Sequence, residues 1–200
     1  MKTVYLAGPT VFLIDADERF GRMKEILRKY NLRGKAPVDN QAGLENFAHG
    51  PALAEAIYDA DESLMDSVDA AIFNTDPFRR GTEMDAGTAF EVGYCRARGL
   101  PMAAWRVETR FYPETVKHFM KSLFQTEFAS NQRNTNGGTS GTIRDADGVL
   151  VHSDGYYQNL MIDVSIQKSG GDTYVDEDWE NAFDRAAHRI AKILENAEER

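Results

Sequence analysis

The chain of 200 residues holds one cysteine, Cys95. A disulfide within the chain is excluded, and a reducing cytoplasm is the natural setting. No stretch approaches ~18 uninterrupted apolar residues, so no membrane-spanning helix is expected. The first apolar run carries Gly8 and Pro9 and leads straight into acids, which does not fit a signal peptide. Positive charge is short: 23 Lys and Arg face 32 Asp and Glu, for a net charge of −9. Such a surface does not suit binding to a nucleic-acid backbone, and it weighs against a highly charged phosphorylated substrate. Arg79-Arg80 and Arg96 to Arg98 form small basic patches, which fit solvated helix ends. Metal-ligand spacing is missing as well, because His49, His118, His152 and His188 stand far apart. The first strand–helix turn lacks G-x-G-x-x-G, the dinucleotide fingerprint. No cofactor and no metal are expected.

What is present is an ordinary globular balance. Hydrophobic residues make up 42%, and eleven Phe, eight Tyr and two Trp exclude disorder throughout. The length suits one domain spanning residues 1–200. Thr3 to Ala7 is a short apolar run stopped by Gly8-Pro9, the pattern of a buried strand. A helical pattern follows from about Asp15 to Tyr30, with Phe20, Met23, Ile26 and Leu27 inward. The polar segment APVDNQAG predicts a loop. A second helix is expected from about Pro51 to Ser67, with Leu53, Ile57, Leu64 and Val68 on its inner face. Asp69 to Asp76 predicts a strand, Met84 to Arg98 a helix ended by Gly99, and Leu100 to Val107 a third strand. Alternating strands and helices indicate a parallel sheet covered by helices.

Later elements are less regular. Phe111 to Phe128 suggests one helix, and Ser130 to Gly141 a flexible surface loop. Asn159 to Ile166 fits either a strand or a buried helical turn. Asp176 to Arg200 is an amphipathic helix with Trp179, Phe183, Ala187, Ile190 and Leu194 in one stripe.

Ligands of open parallel sheets sit at the carboxyl ends of the strands, here the loops after Ala7, Val38 and Asn74. The segment from Asp85 to Glu91 then stands out. Asp85 at a helix start can point back to that crevice, with Glu91 on the second turn. Phe90 and Val92 would face the core, so Glu91 stands in an apolar frame. Two readings fit. Glu91 is exposed between buried neighbours while Asp85 opposes the helix dipole. Or Glu91 is a carboxylate in a partly dry pocket, able to attack an electrophilic carbon and form an ester.

VYLAGPTVF, PVDNQAG, DAGTAFEVGYCRARGLPM and the NLMI segment resemble, in order and spacing, the nucleoside 2-deoxyribosyltransferase family. The likeness covers residues 3–106 and the stretch from Gly148 to Ile162. It implies a flavodoxin-like three-layer α/β sandwich around a parallel, five-stranded sheet, with an insertion at about 107–148. It also implies transfer of 2-deoxyribose between purine or pyrimidine bases, with retention at C1′. Glu91 falls on the family nucleophile and Tyr5 on the tyrosine that orients it. Asp61 falls on the acid that manages the base's proton, and Asp85 on the acid that helps hold the sugar. Gln41 matches a base-contacting glutamine, and Gly8 and Phe12 fall in the substrate loop. Asn159 resembles an asparagine donated by a neighbouring subunit, which implies a homo-oligomer, a dimer or a hexamer. The implied partners are deoxynucleosides and free nucleobases. Two other functions remain open: hydrolysis of 2-deoxynucleoside 5′-monophosphates, and a non-enzymatic nucleotide-sensing module.

Overall fold

The computed structural model describes residues 1–40, 43–79, 81–125, 129–130, 143–144, 148–151 and 155–198. Gln41, Arg80, His152 and residues 131–141 of the expected loop lie outside the described residues. The main sheet contains β1 (Lys2–Ala7), β2 (Leu32–Lys35), β3 (Ala70–Asn74), β4 (Met102–Arg106) and β8 (Thr173–Val175), in the spatial order β2-β1-β3-β4-β8. All four pairings are parallel. This is the flavodoxin-like order, whose direction reverses between β1 and β3. A small antiparallel sheet joins β5 (Ala129–Ser130), β6 (Ile143–Arg144) and β7 (Leu150–Val151).

Alternation along the strands sorts the core into two layers. Val4 and Leu6 of β1, Ile72 of β3 and Trp105 of β4 face one layer, packed on α1 (Ala16–Lys29) and α6 (Trp179–Glu198). There Phe20, Ile26, Leu27, Phe183 and Ile190 are all 2% exposed or less. Each such side chain contributes roughly 1.5–3 kcal/mol. Tyr5 and Ala7 point the opposite way, with Ala71, Phe73 and Ala104. Their layer packs on α2 (Pro51–Asp66), α3 (Ala86–Ala97) and α5 (Leu160–Lys168). The face of β1 that carries Tyr5 is thus the face that meets α3.

Several expectations need correction. Residues 32–35, between the first helix and the APVDNQAG loop, form an unexpected β2, because pairing with β1 overrides the weak pattern of LRGK. Thr173–Val175 is an edge strand that three residues were too few to announce. Asn159 to Ile166 resolves as helix α5, capped by Asn159 itself. Phe90 is half exposed, since it lies on the outer side of α3 while Val92 is buried. Ile57 of α2 is 42% exposed because it lines a cavity rather than the core. The stretch after β4 contributes α4 (Tyr112–Phe124) before the small sheet. Among the described residues, no helix is long and apolar enough to cross a membrane.

Candidate active site

A cavity of about 330 Å³ opens at the carboxyl ends of the strands, where the sheet order reverses. Gly8, Phe12, Asp61, Asp85 and Glu91 all contribute to its wall. Gly8 ends β1 at φ +137, and a Cβ there would lie 2.6 Å from Asn74 Cβ. Only glycine lets the loops after β1 and β3 approach this closely.

Asp85 is the N-cap of α3. Its Oδ2 accepts from Thr88 N at 2.9 Å and from Thr88 Oγ1 at 3.1 Å. This capping fixes the first turn of the helix and so the direction of Glu91 on the second. Glu91 Oε1 accepts from Tyr5 Oη at 2.5 Å. Desolvation raises the Glu91 carboxyl to about 7, opposed by the tyrosine hydrogen bond and reinforced by Asp61 and Asp85. Burial also raises the Asp61 carboxyl. Burial and the neighbouring Glu91 push the Tyr5 phenol far above its ordinary value, so it remains a donor. The cavity therefore holds two carboxyls, Glu91 and Asp61, that burial shifts toward the neutral form. A carboxylate nucleophile and a separate proton carrier are what such a set can supply. Among the described residues, no group of three or more His, Cys, Asp or Glu could hold a metal.

Asn159 does not share this cavity within the chain. It caps α5, where its Oδ1 accepts from Met161 N at 3.0 Å. Three features escaped the sequence reading. Phe78 stacks on Phe12 with centroids 5.2 Å apart. Arg79, exposed as expected, also lies over both rings, 5.2 Å from Phe12 and 4.7 Å from Phe78. The Asp76-Pro77 stop after β3 marked that loop but not its stacking. Third, Arg106 is fully buried beside the root of the same loop. Its Nε donates to Glu108 O and its Nη1 to Tyr157 O, while Gln158 Nε2 donates to Thr75 O. These bonds tie the loop after β3 to the start of α5.

A family model described as nucleoside 2-deoxyribosyltransferase matches residues 4–161. The chain belongs to this family. A 2-deoxyribosyltransferase from Leishmania mexicana is similar in structure, with a TM-score of 0.60 and 26% identity. The match covers 94% of this chain and 98% of that one. A conserved protein from Enterococcus faecalis shares the fold, with a TM-score of 0.56 and 19% identity over 94% of this chain and 99% of its own. An uncharacterized protein of Schizosaccharomyces pombe is 43% identical over 191 residues, covering 96% of this chain and 89% of the relative. The α/β fold of the nucleoside 2-deoxyribosyltransferases is thus present here, with the four-motif likeness falling on one cavity except for Asn159 and the undescribed Gln41.

The raised carboxyl of Glu91 has a consequence for stability. Its folded pKa of about 7 exceeds the ordinary 4.5. The folded state then binds a proton that the unfolded chain has lost, so this contribution fades as pH rises from about 4.5 through about 7. Glu91→Gln cannot ionise. It is expected to be more stable than the unsubstituted protein by about 1–3 kcal/mol at pH 8, and nearly equal at pH 4.5. Urea unfolding at both values measures this. A variant less stable at pH 8 would show that the pocket favours the carboxylate.

Proposed function

We propose that this protein transfers 2-deoxyribose between nucleobases by a retaining double displacement through an ester on Glu91. The observation that carries this reading is the Tyr5–Glu91 hydrogen bond inside a cavity also walled by Asp61 and Asp85. In the first step Glu91, ionised, attacks C1′ as the C1′–N bond breaks. The departing base takes its electron pair and needs a proton, which protonated Asp61 supplies. In the second step an incoming base attacks C1′ and releases Glu91, while Asp61 recovers a proton from the base. Two inversions at C1′ give retention. A 2-deoxy sugar forms oxocarbenium character readily, so a nucleophile, a proton carrier and sugar contacts suffice without a cofactor.

Tyr5 orients the Glu91 carboxylate and keeps it from swinging out of line. Asp85 offers its remaining lone pairs to the sugar hydroxyls. Phe12, 56% exposed and backed by Phe78, supplies a flat apolar wall for a base. Gln41 is assigned to the base through the family likeness alone. Asn159, which does not line the cavity of its own chain, is assigned to the sugar site of a neighbouring subunit.

One observation favours a second reading, N-hydrolysis of 2-deoxynucleoside 5′-monophosphates. The first loop has no basic residue, but Arg79 brings a cation to the cavity rim over Phe12. Deoxyinosine, with and without a 5′-phosphate, should be offered in water and then with free adenine. Formation of deoxyadenosine from the unphosphorylated substrate is expected. Release of base from the monophosphate alone would favour the hydrolase.

In the transfer assay Glu91→Ala should lose at least about a thousandfold in kcat, consistent with loss of a covalent route. Asp61→Asn should slow transfer most for the poorest leaving bases, with a loss of about 10²–10⁴-fold. Equal loss for every base would remove Asp61 from proton transfer. Mixing inactive Glu91→Ala and Asn159→Ala chains under subunit exchange should restore up to half of the activity of an unsubstituted pair. Proven exchange without recovery would confine Asn159 to its own chain.

A further inference from the structure

A second groove, of about 260 Å³, lies between α6 and the edge strand β8. It shares no residue with the cavity around Glu91. Its walls are Tyr174, Arg185, His188, Arg189 and Lys192. In a chain of net charge −9, this is a concentration of the minority sign.

Neither arginine of this groove is held by an acid. Several other described basic groups pair with acids: Lys2 meets Asp69, Arg22 meets Glu180, Arg98 meets Asp66 and Arg110 meets Glu108. Among the described residues, no carboxylate lies within 4.0 Å of the charged nitrogens of Arg185, Arg189 or Lys192. The two arginines are anchored by neutral groups instead. Arg185 Nη1 donates to Val175 O at 3.2 Å, and its guanidinium lies 5.3 Å from the Tyr174 ring centroid. Arg189 Nε donates to Gly170 O at 2.8 Å, and its Nη2 donates to the same oxygen. Nearby acids are engaged: Asp172 accepts from Thr173 N and Gln167 Nε2, and Asp184 from Tyr30 and Lys29. Each guanidinium is therefore oriented, keeps donors to spare out of five, and retains its charge.

Spacing narrows the ligand. Positions 185, 189 and 192 fall on one helical face, and at 1.5 Å per residue they span about 10 Å. One orthophosphate cannot reach along that row, whereas a chain of two or three phosphates can. The aromatic face of Tyr174 is already covered by Arg185, which leaves charge and hydrogen bonding as the means of recognition.

We propose that this groove binds a small polyphosphate anion, the phosphate chain of a nucleoside di- or triphosphate being the source, at a site separate from the deoxyribosyl cavity. The proposal does not rest on the transferase reading.

Isothermal titration with tripolyphosphate, ATP and orthophosphate, against sodium chloride of matched ionic strength, tests it. Tripolyphosphate and ATP should bind, with orthophosphate at least tenfold weaker. Similar affinities for the first two identify the phosphate chain as the recognised group; tighter ATP adds a nucleoside contact. Lys192→Gln removes a side chain with no hydrogen bond or ion pair among the described residues, so folding should be unaffected. It should weaken both ligands about three- to tenfold, and Arg185→Gln with Arg189→Gln at least a hundredfold. Turnover without polyphosphate should not change in Lys192→Gln. No binding above the salt control would overturn the proposal. So would binding that Lys192→Gln and Arg189→Gln leave intact, or that a deoxynucleoside displaces competitively.

Discussion

The candidate site depends on one hydrogen bond, from Tyr5 Oη to Glu91 Oε1. It joins the first strand to a helix 86 residues later, and each end is fixed by a different constraint. Tyr5 points toward α3 because β1 alternates its side chains and gives Val4 and Leu6 to the opposite layer. Glu91 points toward β1 because Asp85 caps the first turn of α3 and sets the phase of the helix. Gly8 brings the loops after β1 and β3 together, so the cavity forms beside that bond rather than elsewhere along the sheet.

Desolvation sets the chemistry of the pair. A carboxylate in water is a poor nucleophile because solvent holds its charge. In this cavity one phenol supplies the hydrogen bond, and neighbouring acids disfavour a second negative charge. The same burial raises the Asp61 carboxyl, the direction that the proposed proton donor requires. Arg106 adds support at a distance. Buried without a direct carboxylate contact, it joins the end of β4 to the residues preceding Asn159 through the carbonyls of Glu108 and Tyr157, while Gln158 reaches Thr75 O at the root of the loop after β3.

Much of this was legible in the chain itself, for identifiable reasons. The strands of β1, β3 and β4 announced themselves because they are buried on both faces and read as continuous apolar runs. Asp85 and Glu91 were conspicuous because acids in an apolar frame need an explanation. β2 was hidden because LRGK has no alternation, and only its pairing with β1 makes it a strand. Phe90 was misplaced because apolar residues flanking a buried acid need not share its face: at 100° per residue, Phe90 and Val92 diverge. Arg185, Arg189 and Lys192 stand at helical spacing on α6, but their meeting with Tyr174 of β8, like the stacking of Phe78 and Arg79 on Phe12, joins side chains from separate elements. Local pattern carries no record of such contacts.

The ester on Glu91 is the step on which the proposed chemistry turns. The direct measurement is peptide mass analysis after brief incubation with a deoxynucleoside, no acceptor base, and an acid quench. A gain of one deoxyribosyl group, confined to the peptide holding Glu91 and discharged by added adenine, is the expected result. The same gain on another carboxylate, or turnover with no adduct under conditions where the ester survives the quench, would contradict it.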